Sequence, residues 1–532
     1  MKILHNTRPY APGFPGATAL ALSQGQIVAL GTDPEILDAF PLAEEKVDLR
    51  GCTLWPGLTD AHVHLRHLAE SRAIVDCETA TRAECLERIA AAARELPPGA
   101  WVRGHGWNHN QWPEGLGTAE LLDRVSHGHP AYLSAKSLHI GWANSLALAL
   151  AGLTDSTPDP ESGILQRDAQ GRLTGILYEA EAVNLILGVI PELTPEVLKQ
   201  QIQSLIPELW SLGLVGAHDF DGFDCWLALQ SLHQQGELKF RIRKSVPYDH
   251  LDDFIQAGLR TNSGDDFLQI GSVKLFSDGA LGSQTAAMLA PYEGSQSTGA
   301  LLLTEDEILE IGRKTGSNGL SLAIHAIGDR ANQVVLNAYA KLRVFEGENR
   351  LPRFKHRIEH VQILAKEDLP RLAELGIVAS VQPVHAPSDR DMADKFLGQR
   401  AEWAYAYQAL KRTGAEMAFG SDAPVEPVNP FHGLHAAVTR RRLDGSPGPE
   451  GWHPQERLAL AEALDGFSWA SARISSRGGR LGRIAPGAAA DLILLKTDPF
   501  TLDPQDIGAL KPLATMVAGE WVFQHPEMGI GI

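Results

Sequence analysis

The twelve residues Leu54–Leu65, LWPGLTDAHVHL, run from a Pro-Gly turn into two histidines one residue apart. In a β-strand alternate side chains share a face, so His62 and His64 point one way while Ala61 and Val63 point the other. Two neutral imidazoles on one face make half of a metal site. The rest of the chain has to supply the other half.

Beyond this stretch, strand-like runs alternate with helical ones, the signature of parallel β/α architecture. The strand candidates are HVHL (62–65), AYLSAKS (131–137), LVGAHDF (214–220), IGSVKLF (270–276), LSLAIHA (320–326), RIEHVQ (357–362), IVASVQP (377–383) and EMAFGSD (416–422). Eight such strands fit a closed, TIM-like (β/α)8 barrel. Between them, Thr81 followed by Glu84 reads as a helix start, and a second helical stretch ends at Gly213. Both chain ends differ from this pattern. ATALALSQGQIVALGTD (17–33) and ATMVAGEWVFQ (514–524) are short apolar alternations joined by turns, and together they predict one small β-module built from both termini. The barrel then spans 58–479 and the terminal module 1–57 with 480–532. A segment at about 66–125, after the first strand, is long for a connection and reads as an insertion; Trp107 and Trp112 within it favour an ordered one.

Composition narrows the function. With 44% hydrophobic and 21% charged residues in 532, the chain folds around a sizeable core. A net charge of −18 argues against nucleic acid or an anionic membrane as partner. Four cysteines without a CxxC pair do not make a disulfide scaffold, and no apolar run approaches about 18 residues. The expectation is a cytoplasmic protein acting on a small molecule, with a homo-oligomer left open.

Polar residues recur at the carboxyl ends of the predicted strands, the end where barrel active sites are assembled. These are His62 and His64, Lys274 in SVKLF, His325, His360 and Asp422. Imidazole and carboxylate suit zinc and similar divalent ions. Four histidines and one aspartate accommodate one metal, or two if an anionic group bridges them. An ammonium offers no lone pair, so Lys274 fits such a set as a carbamate.

PGLTDAHVHL, the single histidines closing two mid-chain strands, FGSD and GRLGRIAPGAAADLILL resemble the amidohydrolase superfamily. LHIGWANSLAL, SGILQRDAQGRLTGILYE, VKLFSDGALGSQTA, IHAIGDRA, RIEHVQ and GSDAPVEPVNPF are similar to its amidohydrolase-3, or YtcJ-like, branch. The resemblance covers nearly the whole chain. It implies a metal-bearing barrel joined to a β-sandwich made from both termini. It implies ligands at His62 and His64 (strand one), Lys274 (strand four), His325 and His360 (strands five and six) and Asp422 (strand eight). Glu179, in TGILYE, is the alternative carboxylate to a carbamylated Lys274. The metal is expected to be zinc, one or two per chain.

The expected reaction is hydrolysis of a carbon–nitrogen bond in an amide, N-formyl or N-acyl amine by metal-activated hydroxide, with Asp422 as general base and then acid. His139, in SLHIGWANS, could donate to the substrate oxygen. His218 and Asp219 either support the ligands or pair with each other. Asp278 and Arg330 read as loop-ordering groups, and Trp107 as either pocket lining or core. Two alternatives remain: a mononuclear deaminase of an amino-substituted ring with Lys274 unmodified, and a non-catalytic regulatory protein on the same fold. No GxSxG or GxxxxGK[ST] sequence supports a serine esterase or a phosphate loop.

Overall fold

The computed structural model describes residues 1–109, 112–135, 140–161, 163–191, 193–475 and 479–526. The chain forms two compact units, Met1–Leu68 with Lys199–Ile532, and Ala69–Leu198.

The first unit holds an eight-stranded parallel sheet whose strands neighbour one another in chain order. They are β1 (Leu58–Val63), β2 (Leu214–Asp219), β3 (Arg241–Pro247), β4 (Leu268–Phe276), β5 (Leu322–Ala326), β6 (Arg357–His360), β7 (Val378–Val381) and β8 (Met417–Phe419). The sheet closes just past β8. The N–H of Asp422 donates to the His62 carbonyl at 2.8 Å and the N–H of His64 to the Ala423 carbonyl at 2.9 Å. A Cβ on Gly420 would stand 2.4 Å from the His62 nitrogen, so this approach requires glycine. Asp60 secures the same seam, accepting the His62 N–H at 3.0 Å and the Ser421 hydroxyl at 2.6 Å. Asp60 thereby ties β1 to the end of β8.

Two strand assignments differ from the sequence reading. Ala131–Ala135, expected as the second barrel strand, pairs instead with strands of the second unit. Its place is taken by Leu214–Asp219, and the third by Arg241–Pro247, which three basic residues had concealed. Polar partners receive those residues: Arg241 pairs with Asp491, Arg243 Nη1 donates to Asn262 at 2.6 Å, and Lys244 Nζ meets Asp219 at 2.9 Å. Because one strand leaves and another enters ahead of Lys274, that lysine stays on β4.

The remaining strands of the first unit build two sheets. One is made of Lys2–His5, Ala19–Ser23, Gln26–Gly31 and Glu45–Asp48; the other joins Arg8–Pro9 and Thr53–Pro56 to Leu492–Leu495, Ala514–Val517 and Glu520–Gln524. A single apolar cluster, including Leu4, Leu20 and Val47 from the first sheet and Leu54, Leu492 and Met516 from the second, is buried by both. Both expected hairpins form on two-residue turns with positive φ, Gln24-Gly25 and Ala518-Gly519, matching the right-handed strand twist.

The second unit has a six-stranded sheet running Ile164–Arg167, Leu173–Tyr178, Ile140–Ala143, Ala131–Ala135, Val102–Trp107, Val75–Asp76. Its helix Arg82–Glu95 begins at Thr81, whose hydroxyl accepts the Glu84 N–H at 3.2 Å. Trp107 is fully buried in this unit's core, 5.8 Å from the Trp112 ring and 6.1 Å from that of Trp142, and its indole N–H donates to the Leu133 carbonyl. Among the described residues no helix is long and apolar enough to cross a membrane.

Candidate metal centre

At the carboxyl end of the barrel a cavity of about 340 Å³ is lined by His62, His64, Lys274, His325, His360 and Asp422, with His385 beside them. Each comes from a different strand end except the first two, which share one face of β1 as alternation requires. The Nε2 atoms of His62 and His64 lie 3.5 and 3.4 Å from Oδ1 of Asp422. The three ligand atoms are close enough to share one ion, as are those of His360, His385 and Asp422. The His325 ring lies 4.6 Å from that of His360, centre to centre. His360 and Asp422 hold left-handed φ values of +76° and +60°, a conformation that costs such residues about 1–3 kcal/mol and persists only where the surroundings enforce it.

Partners outside the cavity fix each ring. His62 Nδ1 donates to Glu359 Oε2 at 2.6 Å, His64 Nδ1 to Asp221 Oδ1 at 3.0 Å, and His360 Nδ1 to the Gln382 side-chain oxygen at 2.9 Å. His325 is held the other way round, its Nε2 donating to the Gly279 carbonyl at 2.9 Å. Glu359 is itself gripped by Arg357, which also donates to Ser380, to the Ala61 carbonyl and to His218 Nδ1 at 2.8 Å. His218 and Asp219 therefore do not pair with each other. His218 supports Arg357, while Asp219 holds Lys244 and accepts the Leu65 N–H at 2.9 Å.

Electrostatics follow this layout. Burial, reinforced by Lys274, pushes His62 and His325 down to about 4, so both present neutral imidazole. His64 differs: burial opposes its charge, yet Asp221 and Asp422 together raise it to about 9. The space between His64 and Asp422 thus calls for positive charge, which a divalent ion supplies better than a proton. Among the described residues the buried Nε2 of His62 has no hydrogen-bond partner, as for a ligand atom before it meets its ion. The donor set fits a divalent metal.

Lys274 is buried, and burial lowers its ammonium to about 8. Among the described residues it has no carboxylate partner within ion-pair distance; its Nζ lies 4.6 Å from the Phe220 ring and 4.9 Å from that of Phe276. Glu179 opens the helix Glu179–Leu187 of the second unit with an exposed side chain and φ of +66°. Asp278 accepts the N–H groups of Ala287, Ile327 and Gly328 at 2.8–3.0 Å and so orders the loop after β5. Arg330 exposes its side chain on the helix Asp329–Glu348. His139 lies outside the described residues.

Sequence reasoning did not single out His385, Glu359 or Asp221. Each stands within four residues of a strand's carboxyl end, which was the available signal. Glu359 follows the strand alternation of RIEH, and His385 follows β7 in VQPVH.

A parallel barrel gathering imidazoles and one carboxylate at its carboxyl end defines a metal-dependent hydrolase of the barrel type. The chain belongs to the amidohydrolase family, whose model matches residues 45–523. YtcJ of Bacillus subtilis (strain 168) is 32% identical over 518 residues, 95% of this chain and 96% of its own. N-substituted formamide deformylase of Arthrobacter pascens is 29% identical over 537 residues, 96% of each chain. The solved structure of an uncharacterized metal-dependent hydrolase from Pyrococcus furiosus matches with a TM-score of 0.79 at 29% identity, over 94% of this chain and 100% of that one.

Proposed function

We propose that this chain hydrolyses the carbon–nitrogen bond of a small N-formyl or N-acyl amine. The observation that carries the reading is the division of labour within Asp422. Its Oδ1 faces the Nε2 atoms of His62 and His64, whereas Oδ2 faces the opposite side of the cavity, 3.9 Å from His385 Nε2. The similarity to a formamide deformylase along both whole chains supports the same reading.

His62, His64, His325, His360 and Asp422 Oδ1 would hold the metal, zinc by donor chemistry, which when bound makes water acidic near neutral pH and polarises the substrate carbonyl. Asp422 Oδ2 accepts the proton of the attacking water and returns it to the departing nitrogen. Asp422 is ionised and so open to a proton: although burial would raise its carboxyl, His64 and the other rings hold it well below the usual range. Leu281, Ile327 and Met392 supply apolar cavity wall against the remainder of the substrate. The experiment is metal analysis of the purified protein, followed by hydrolysis assays over N-formyl and N-acyl amines. Metal-free native protein, or an Asp422→Asn variant as active as the parent, would refute the reading.

One observation favours a second reading, the mononuclear deaminase. Lys274 rests on two aromatic faces, a place that suits an unmodified ammonium. A carbamate at Lys274 would instead bridge two ions.

A further inference from the structure

Five imidazoles face this cavity, and the partner on the outer nitrogen of each sets which nitrogen carries the proton. Carboxylates, carbonyls and amide oxygens only accept, so His62 and His360 are protonated on Nδ1 and turn a bare Nε2 inward, while His64, also protonated on Nδ1, faces Asp422 with an Nε2 whose proton an ion would displace. His325, protonated on Nε2 by the Gly279 carbonyl, keeps its lone pair on Nδ1. His385 is the exception. Its Nδ1 receives the side-chain N–H of Gln362 at 3.3 Å, so the neutral ring carries its proton on Nε2. His385 lines the cavity, and its Nε2 is buried and, among the described residues, has no hydrogen-bond partner; the nearest Asp422 oxygen, at 3.9 Å, is beyond hydrogen-bonding distance.

We infer that His385 is not a metal ligand but the hydrogen-bond donor to the substrate's carbonyl oxygen, its tautomer set by Gln362. The inference rests on the hydrolytic reading above and adds a catalytic residue to it. When the water oxygen bonds to the carbonyl carbon, the C=O π pair moves onto the oxygen and Nε2–H of His385 donates to the developing charge. Asp422 takes the water's proton. When the C=O bond re-forms, the C–N pair leaves on nitrogen and takes that proton, giving an amine and a carboxylic acid. His385 transfers no proton. His385 opens the helix His385–Leu397 and its ring is held by Gln362, as a preorganised donor requires.

The test combines zinc titration against a chromophoric chelator with hydrolysis of formanilide and thioformanilide. In His385→Ala, zinc affinity should stay within about twofold of the parent, whereas His360→Ala should lose it; kcat on formanilide should fall about 10²–10³-fold. The rate ratio of oxygen to sulfur substrate should shrink in His385→Ala, because sulfur accepts hydrogen bonds poorly. Loss of zinc in His385→Ala would make it a ligand, and an unchanged oxygen-to-sulfur ratio would make it a positioning residue for Asp422; either overturns the inference. Gln362→Glu supplies an arm that needs no turnover. Its carboxylate accepts from Nδ1 and moves the lone pair to Nε2, so zinc binding should tighten or gain a second equivalent, and unaltered binding overturns the inference. If the parent cleaves neither anilide, the bond reading fails, and the Gln362→Glu titration still decides the role of His385.

Discussion

His62 and Glu359, 297 positions apart in the chain, meet through a 2.6 Å hydrogen bond with both side chains fully buried. The carboxylate does for the imidazole what no local sequence feature could: it fixes the proton on Nδ1 and raises the basicity of Nε2. Burial would raise Glu359, but Arg357 and His62 hold it well below the usual carboxylate range.

Replacing Glu359 by Gln keeps an acceptor for His62 but removes the charge. Metal affinity should fall about 10–100-fold while the fold survives. Chelator competition measures the first and circular dichroism the second; parental affinity would show that the charge is idle.

Lys274 decides the number of ions. If its amine is carbamylated, bicarbonate should raise metal content from one to two equivalents per chain and raise activity with it, and Lys274→Met should bind one equivalent whatever the bicarbonate. A single equivalent in both proteins would favour the unmodified ammonium, already accommodated by Phe220 and Phe276.

His356 gives a pH dependence far from the cavity. Its Nδ1 accepts the Leu322 N–H at 2.9 Å and its Nε2 donates to Glu346 at 2.7 Å, so protonation would remove an acceptor the backbone uses. Burial lowers its pKa in the fold, against about 6.5 in the unfolded chain. Its stabilisation is therefore present above pH 6.5 and is lost as the pH falls, because the unfolded chain takes up the proton first. The gap in Tm between the parent and His356→Gln should narrow from pH 7 to pH 5. A gap constant with pH contradicts this.

Arg241 on β3 grips Asp491 with two hydrogen bonds of 2.6 and 2.8 Å, both groups buried. Asp491→Ala leaves a buried guanidinium without its counter-charge and should cost about 3–5 kcal/mol; replacing both partners by apolar residues should cost much less. Chemical unfolding of the three proteins checks the ranking.

How much of this was legible in the sequence depends on where each residue's partner lies. The histidine pair of β1, the single histidines of β5 and β6 and Asp422 past β8 were readable because strand-end position is a local property. Arg241, Arg243 and Lys244 hid β3 because basic residues read as surface; their hydrogen-bond and ion-pair partners are 19 to 250 residues away. Ala131–Ala135 read as a barrel strand because a buried parallel strand looks alike in any sheet. Glu359 lies inside RIEHVQ, yet its role depends on a ring contributed by the first strand. His385 lies four residues past β7, beyond a proline, where strand alternation no longer says which way a side chain points.

The closure between β1 and the end of β8 has one more consequence. The segments that carry His62, His64 and Asp422 are the same ones that stitch the first and last staves of the sheet together. Chelation and loosening of the ring should therefore be a single event: backbone amides at 62–64 and 420–423 should lose hydrogen-exchange protection together when the ion leaves. A protein purified without its ion would then be a barrel less securely hooped, and the loss would be felt first where the chain's ends of the sheet join.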